Sequence, residues 1–113
     1  MTLSDLEQYL MKIGLRTDDL TVAGQSYLVI TGVRIPRGSH EGQLCEVAVR
    51  RTSDNPWLPE AKLHVRPHLA PTGQRNTLQS PLGTEWQYLS RRFDRAPTAR
   101  SFFAHILTVL GEM

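Results

Sequence analysis

The feature that most constrains the fold of this chain is a series of short apolar segments separated by clusters of turn-forming residues. The segments occupy residues 20–22, 27–33, 43–51 and 62–66. Their content of Val, Ile, Leu and Tyr is typical of β-strands, and such short connections favour antiparallel neighbours. We therefore predict a four-stranded antiparallel meander for this sequence, with residues 23–25 closing its first hairpin.

Helical patterns flank the predicted strands on both sides. Ser4 and Glu7 have the spacing of a capping box, in which each side chain bonds a free backbone donor of the first turn. Apolar residues then recur at helical spacing as far as Gly14, which we expect to end the helix in a left-handed conformation. Residues 98–110 predict a second helix, with Gly111 as its stop. The predicted fold class is α+β, with a helix at each end of the meander.

Length and composition narrow the possible classes of protein. The chain has 113 residues, of which 40% are hydrophobic, so we expect a single domain over residues 1–113. Its one cysteine, Cys45, excludes an internal disulfide and favours a reducing, cytoplasmic location. No segment approaches the roughly 20 apolar residues of a membrane span, so no membrane association is expected. The first residues also lack the basic start and apolar run of a secretory signal.

The predicted strands place their side chains alternately on two faces. Cys45 shares the predicted core face with Val47, and a packed, unreactive thiol is the interpretation we favour over a nucleophile. In the fourth strand, Leu63 and Val65 point opposite to His64, so we expect that strand to be half buried.

Metal and cofactor motifs are not found in the sequence. The imidazoles are His40, His64, His68 and His105. None of them has a partner at a metal-ligand spacing, so no metal site is predicted. Phosphate-binding loops and dinucleotide glycine motifs are also missing, so no cofactor is predicted.

A polar stretch and an aromatic–arginine run follow the fourth strand. Residues 67–84 are rich in Pro, Gly, Thr, Asn and Gln and predict a long loop, which in small domains is often functional. Residues 86–92, WQYLSRR, combine aromatic rings with arginines, which is the chemistry of nucleic-acid stacking and phosphate contact. The same residues commonly anchor a loop to a core, and we favour that role.

Several stretches of the chain carry a family resemblance. They are residues 27–38 (YLVITGVRIPRG), 44–49 (LCEVAV), 55–59 (NPWLP), 66–69 (RPHL), 86–92 (WQYLSRR) and 101–110 (SFFAHILTVL). Together they resemble prokaryotic family E of the ubiquitin-conjugating enzyme superfamily, over residues 20–110. The resemblance implies the UBC-like fold, with an N-terminal helix, a four-stranded meander, a long loop and a C-terminal helix. It also implies a role in a bacterial conjugation system, with a ubiquitin-like protein and its activating enzyme as partners.

The chain departs from the family at the positions where the family has its catalytic residues. Conjugating enzymes carry the modifier on a cysteine after the fourth strand, but residues 67–84 contain none, and Arg92 replaces the family's histidine. One function compatible with these departures is a transferase that carries the modifier as an ester, on a hydroxyl activated by a base. The candidates are His68 as base and Thr77, Ser80 or Ser90 as carrier.

A non-catalytic docking subunit is equally compatible with the sequence. It would hold the modifier and the activating enzyme through its sheet, its loop and the binding candidates Trp86, Arg91 and Arg92. The alternative outside conjugation is a basic assembly module or one that binds single-stranded nucleic acid, in the latter case through Arg91, Arg92 and Arg95.

Overall fold

The computed structural model describes residues 2–51, 63–70, 77–89 and 98–113. The elements are α1 (Leu3–Lys12), β1 (Arg16–Val22), β2 (Gln25–Arg34), β3 (Leu44–Arg50), β4 (Leu63–Arg66), β5 (Thr77–Gln79), β6 (Gln87–Leu89) and α2 (Ala99–Glu112). The strands form one sheet in the order β1-β2-β3-β4-β6-β5, and every paired neighbour is antiparallel. The predicted α+β class, the helix at each end and the meander of the first four strands are confirmed.

The region after β4 differs from the predicted long loop. Residues 77–79 form β5, and β6 follows at residues 87–89, so the described residues form a sheet of six strands instead of four. Each added strand has only three residues, which is too short to leave an alternating pattern in the sequence. The pattern is also hidden because the inward residues Thr77 and Gln87 are polar, although both are fully buried.

The start of α1 also differs from the prediction. The N-cap is Thr2, whose side chain accepts from the backbone of Asp5, while the Asp5 carboxylate accepts from the backbone of Thr2. The predicted capping box at Ser4 and Glu7 is therefore wrong. Glu7 instead accepts a 2.6 Å hydrogen bond from Arg51, which joins α1 to the end of β3. The left-handed residue predicted after the helix is confirmed at Gly14, whose φ is 89°.

The predicted stop of α2 at Gly111 is wrong, because the helix continues to Glu112. Gly111 lies inside the helix where the Arg37–Gly38 turn crosses it. A Cβ at Gly111 would lie 2.7 Å from Cγ of Arg37, and a Cβ at Gly38 would overlap the carbonyl oxygen of Gly111. Both glycines therefore permit a close approach between this turn and the last turn of α2.

A bulge in β2 keeps two apolar residues on the same face of the sheet. Ile30 pairs with Val47 and Val33 pairs with Cys45, so β2 has one extra residue between these pairs. Without it, Ile30 and Val33 would point to opposite faces, because side chains alternate along a strand. Both are buried, and they pack in the core with α1 and α2.

The sheet has an apolar cluster on each of its faces. We call the face that packs against α1 and α2 the helix face, and the opposite face the second face. The helix face contributes to a core with both helices, which includes Leu6, Leu10, Leu28, Ile30, Cys45, Val47, Leu63, Phe102 and Ile106. The second face carries a smaller cluster made of Tyr27, Val29, Ala48 and Trp86, with Leu20, Val22 and Leu82 packed against it. The prediction that Cys45 lies on the core face is confirmed.

The second face also contains a residue that was expected to be exposed. Across β2, β3, β4 and β6 the register aligns Val29, Ala48, His64 and Tyr88 in one row. Because the chain after β5 folds over this row, His64 is only 3% exposed. The prediction of a half-buried β4 is therefore wrong: Leu63, His64 and Val65 are all buried.

Candidate functional site

The chain that leaves β4 is held by one buried amide side chain. Oε1 of Gln87 accepts from the backbone N–H groups of Leu69 and Ala70, at 3.0 and 3.2 Å, and its amide nitrogen donates to the Ala70 carbonyl. Nε2 of His40 bonds the Leu69 carbonyl at 2.6 Å. These contacts fix the first residues of the predicted functional loop against the sheet.

Ser80 and His64 form a buried hydrogen-bonded pair on the second face. Oγ of Ser80 lies 2.8 Å from Nδ1 of His64, and Ser80 is 4% exposed. Oγ also accepts from the backbone N–H of Leu82 at 3.1 Å. In the tautomer whose imidazole proton is on Nε2, the Ser80 hydroxyl donates its hydrogen bond to Nδ1.

The surroundings of His64 stabilise its neutral form. The rings of Tyr27 and Tyr88 lie 5.4 and 5.0 Å from the imidazole, measured between centroids. Burial, together with the positive charge of Arg50, lowers the pKa of His64 to about 4. His64 is therefore neutral at physiological pH and a weak base, although its hydrogen bond to Ser80 has the geometry of a Ser–His dyad.

The other residues predicted for ester chemistry do not meet at Ser80. His68, the predicted base, is exposed, and its Nε2 bonds the Thr84 carbonyl at 2.9 Å. Thr77 is buried on the inner side of β5. Ser90, Arg91 and Arg92 lie outside the described residues. The imidazole that contacts Ser80 is that of His64. Sequence reasoning missed it because the alternation along β4 predicts that His64 is exposed to solvent.

The single cysteine is unsuited to nucleophilic chemistry. Cys45 lies in β3, is 4% exposed and packs in the core beneath the helices. Burial and then the negative charge of Glu46 raise the pKa of the thiol to about 11. Since the thiolate is the reactive form, this thiol is almost entirely protonated at physiological pH.

Trp86 is buried, and the guanidinium of Arg66 covers one face of its ring. The ring is 4% exposed, and the guanidinium of Arg66 lies 4.6 Å from the ring centroid. Arg66 is held there by Glu46 at 2.7 Å and Glu85 at 3.1 Å, and the hydrogen bond that it donates to the Glu46 carboxylate is the main reason why its pKa is raised. With one ring face covered in this way, Trp86 lacks the free surface on which a nucleic-acid base would stack.

A cleft opens on the second face beside this Arg66–Trp86 pair. It has a volume of about 490 Å³ and lies between β1 and residues 82–86. Its charged residues are Asp18, Asp19, Glu46, Arg66 and Glu85. We call it the acidic cleft, because carboxylates outnumber cations in its lining.

No described helix is both long and apolar enough to cross a membrane. In the same part of the chain, no group of three or more His, Cys, Asp or Glu residues has an arrangement that could hold a metal ion. Comparison of the chain with protein-family models, with curated proteins and with solved structures finds no match.

Proposed function

We propose that this protein is a non-catalytic, UBC-like subunit of a bacterial ubiquitin-like conjugation system, which docks the modifier and its activating enzyme. Two things support the proposal: the family resemblance over residues 20–110 and a fold compatible with it, in which a helix precedes an antiparallel meander and a second helix closes the core. The proposed partners are a ubiquitin-like protein and an activating enzyme, and no cofactor is needed for docking.

The observation that best supports a non-catalytic role is the buried, protonated form of the Cys45 thiol. A thioester carrier needs an accessible thiolate near a positive charge or a helix N-terminus. Cys45 is the chain's one cysteine, it is buried at 4% exposure, and the pKa of its thiol is raised to about 11. Glu46, the next residue, adds a negative charge where a carrier would need a positive one.

Reconstitution tests the docking role. The protein would be mixed with ATP and with the ubiquitin-like protein and activating enzyme encoded in its genomic neighbourhood. Size-exclusion chromatography should show a complex, and gels run without thiol, with thiol, and with thiol plus hydroxylamine should show no adduct on this chain. The Cys45→Ala variant should form the complex as well as wild type does. Absence of a complex, or loss of an adduct in Cys45→Ala, would rule the proposal out.

The Ser80–His64 pair favours a second candidate, in which the subunit carries the modifier as an ester. In that step Oγ of Ser80 attacks the activated carboxyl carbon of the modifier tail and forms the ester bond. The hydroxyl proton passes to Nδ1 of His64, 2.8 Å away, and the activating group leaves with the electrons of the broken bond. We place this candidate second because Ser80 is 4% exposed and the low pKa of His64, about 4, makes it a weak base.

The same reconstitution separates the two candidates. An adduct that survives thiol but is cleaved by hydroxylamine would support the ester, and Ser80→Ala should then abolish it. Ser39→Ala is the matched control, because Ser39 is exposed and lies in a turn away from β5. If the adduct persists in Ser80→Ala, the carrier is another hydroxyl, for which Ser90→Ala is the next variant.

A further inference from the structure

The acidic cleft is bordered by an edge strand of the sheet. β1 pairs with β2 on one side and ends the sheet on the other. Asp18 lies opposite Val29 in the β1–β2 register, and Val29 belongs to the cluster on the second face. The carboxylate of Asp18 is therefore on the cleft side of this edge, and within the described part of the chain no further strand pairs with it, as strand addition requires.

The charges of the cleft would favour a cation. On the second face its lining contains three carboxylates, from Asp18, Glu46 and Glu85, and one guanidinium, from Arg66. Glu46 and Glu85 share Arg66 between them. Asp19 also borders the cleft, but its position opposite Leu28 places its carboxylate on the helix face, where it pairs with Arg51. Among the described residues, no side chain forms an ion pair with Asp18.

The floor of the cleft is apolar. Leu20, Val29, Leu82 and Trp86 all line it, and they belong to or pack on the second-face cluster. A lysine or arginine side chain combines an apolar stem with a charged end, so its stem would lie on this floor while its charge meets the carboxylates. A phosphate backbone would be repelled by the same carboxylates.

Arg66 shows how a guanidinium is stabilised at one side of the cleft. It lies 4.6 Å from the Trp86 ring centroid and 2.7 Å from Glu46. The opposite side, at Asp18, has a carboxylate of the same kind without a cation from the described part of the chain. An incoming basic side chain would fill that position.

We propose that the acidic cleft binds an extended basic segment of a partner protein, which lies along the β1 edge and inserts a lysine or arginine beside Asp18. The volume of about 490 Å³ is within the usual range for binding pockets and accommodates such a side chain with its neighbours. The inference does not rest on the proposed function, because it needs neither the modifier nor the activating enzyme.

A synthetic peptide tests the inference. Fluorescence anisotropy would follow binding of a short fluorescein-labelled peptide in which arginine alternates with threonine. A second peptide with glutamate in place of arginine is the control for charge. The arginine peptide should bind saturably, more weakly as salt is raised, and the glutamate peptide should not bind.

Two protein variants locate the site. The double variant Asp18→Asn, Glu85→Gln removes two exposed cleft charges and keeps the side-chain size; it should weaken binding about fivefold, as expected for two exposed ion pairs. Glu41→Gln removes one exposed charge from the β2–β3 connection, outside the cleft, and should bind as wild type does. Circular dichroism confirms that each variant is folded.

Three results would overturn the inference. The first is no saturable binding of the arginine peptide to wild type. The second is equal weakening by Glu41→Gln and by the cleft variant, which would indicate a diffuse charge effect. The third is displacement of the peptide by MgCl2 beyond that by NaCl at equal ionic strength, which would assign the cleft to a divalent cation instead.

Discussion

Oγ of Ser80 and Nδ1 of His64 lie 2.8 Å apart, and their hydrogen bond joins the residue after β5 to the middle of β4. The two strands are not neighbours, because β6 lies between them in the sheet. The bond therefore crosses over a strand and holds the chain after β5 down on the second face. In the folded protein it is a structural contact between these two segments.

Ser80→Ala should lower the free energy of unfolding by about 1–3 kcal/mol, because it leaves a buried imidazole nitrogen without its partner. Denaturant unfolding followed by circular dichroism would measure the loss. Ser39→Ala removes an exposed hydroxyl and should change stability little. Equal stability of the two variants would contradict the structural role of the hydrogen bond.

Acidification should destabilise the protein through His64. Its pKa is about 4 when folded, against an ordinary 6.5, so below pH 6.5 the unfolded chain takes up a proton that the folded chain does not. The resulting loss of stability begins near pH 6.5, is complete near pH 4, and is on the order of 3 kcal/mol. Above pH 6.5 the group contributes no pH dependence, because it is neutral in both states.

Unfolding measured across this pH range in wild type and in His64→Gln would isolate that contribution. The carboxylates titrate in both proteins, so the difference between the two curves belongs to His64. Parallel curves would show that the imidazole is not held in its neutral form by the fold.

Cys45 should resist alkylation in the folded protein. A rise of its pKa from 9.0 to about 11 reduces the thiolate fraction about a hundredfold, and burial blocks access as well. Mass spectrometry after iodoacetamide treatment at mildly alkaline pH should show little labelling in buffer and full labelling in urea. Rapid labelling of the native protein would place the thiol at the surface.

Gly38→Ala should be more destabilising than a conformationally matched glycine substitution. Gly38 and Gly42 have similar positive φ values, 87° and 85°, but only Gly38 faces a backbone group of α2. Gly42→Ala should therefore cost about 1 kcal/mol for its left-handed conformation alone. Gly38→Ala should cost at least about 2 kcal/mol more, because the carbonyl of Gly111 must move.

Thermal unfolding of the two alanine variants, compared with wild type, would measure this difference. A similar loss in both would mean that the turn before β3 and the end of α2 are not in close contact.

Much of the fold could be predicted because the apolar pattern of the first strands and of both helices is strong. β5 and β6 escaped prediction because each has three residues and because two of their inward residues, Thr77 and Gln87, are polar and bonded by contacts that a pattern cannot show. The true capping box at Thr2 and Asp5 has the same spacing as the predicted one at Ser4, and only packing decides between them. Helical spacing gives the period of a helix, but it locates the first helical residue only to within a few positions.

The candidate site was harder to predict than the fold. Ser80 was identified from its place in a polar stretch, but its partner His64 was hidden by the alternation of β4, which predicts exposure. The predicted alternation along β4 is correct, because His64 does face away from the helices. It is nevertheless buried, because residues distant in the sequence, including Ser80, cover it. The acidic cleft likewise depends on β1 and residues 82–86 meeting on one face, which no local pattern reports.

The adjacent carboxylates of Asp18 and Asp19 also influence how copies of this protein behave in concentrated solution. If two molecules joined their β1 edges antiparallel about the strand centre, Asp19 would lie directly opposite Asp19 of the other copy and the two Asp18 residues would be diagonal neighbours, so like charges would oppose the pairing. These charges thereby protect the β1 edge against the repeated addition of strands from other copies and against aggregation. Neutralising them, by low pH or by replacing both aspartates with asparagine, should expose the protein to self-association that the native charges prevent.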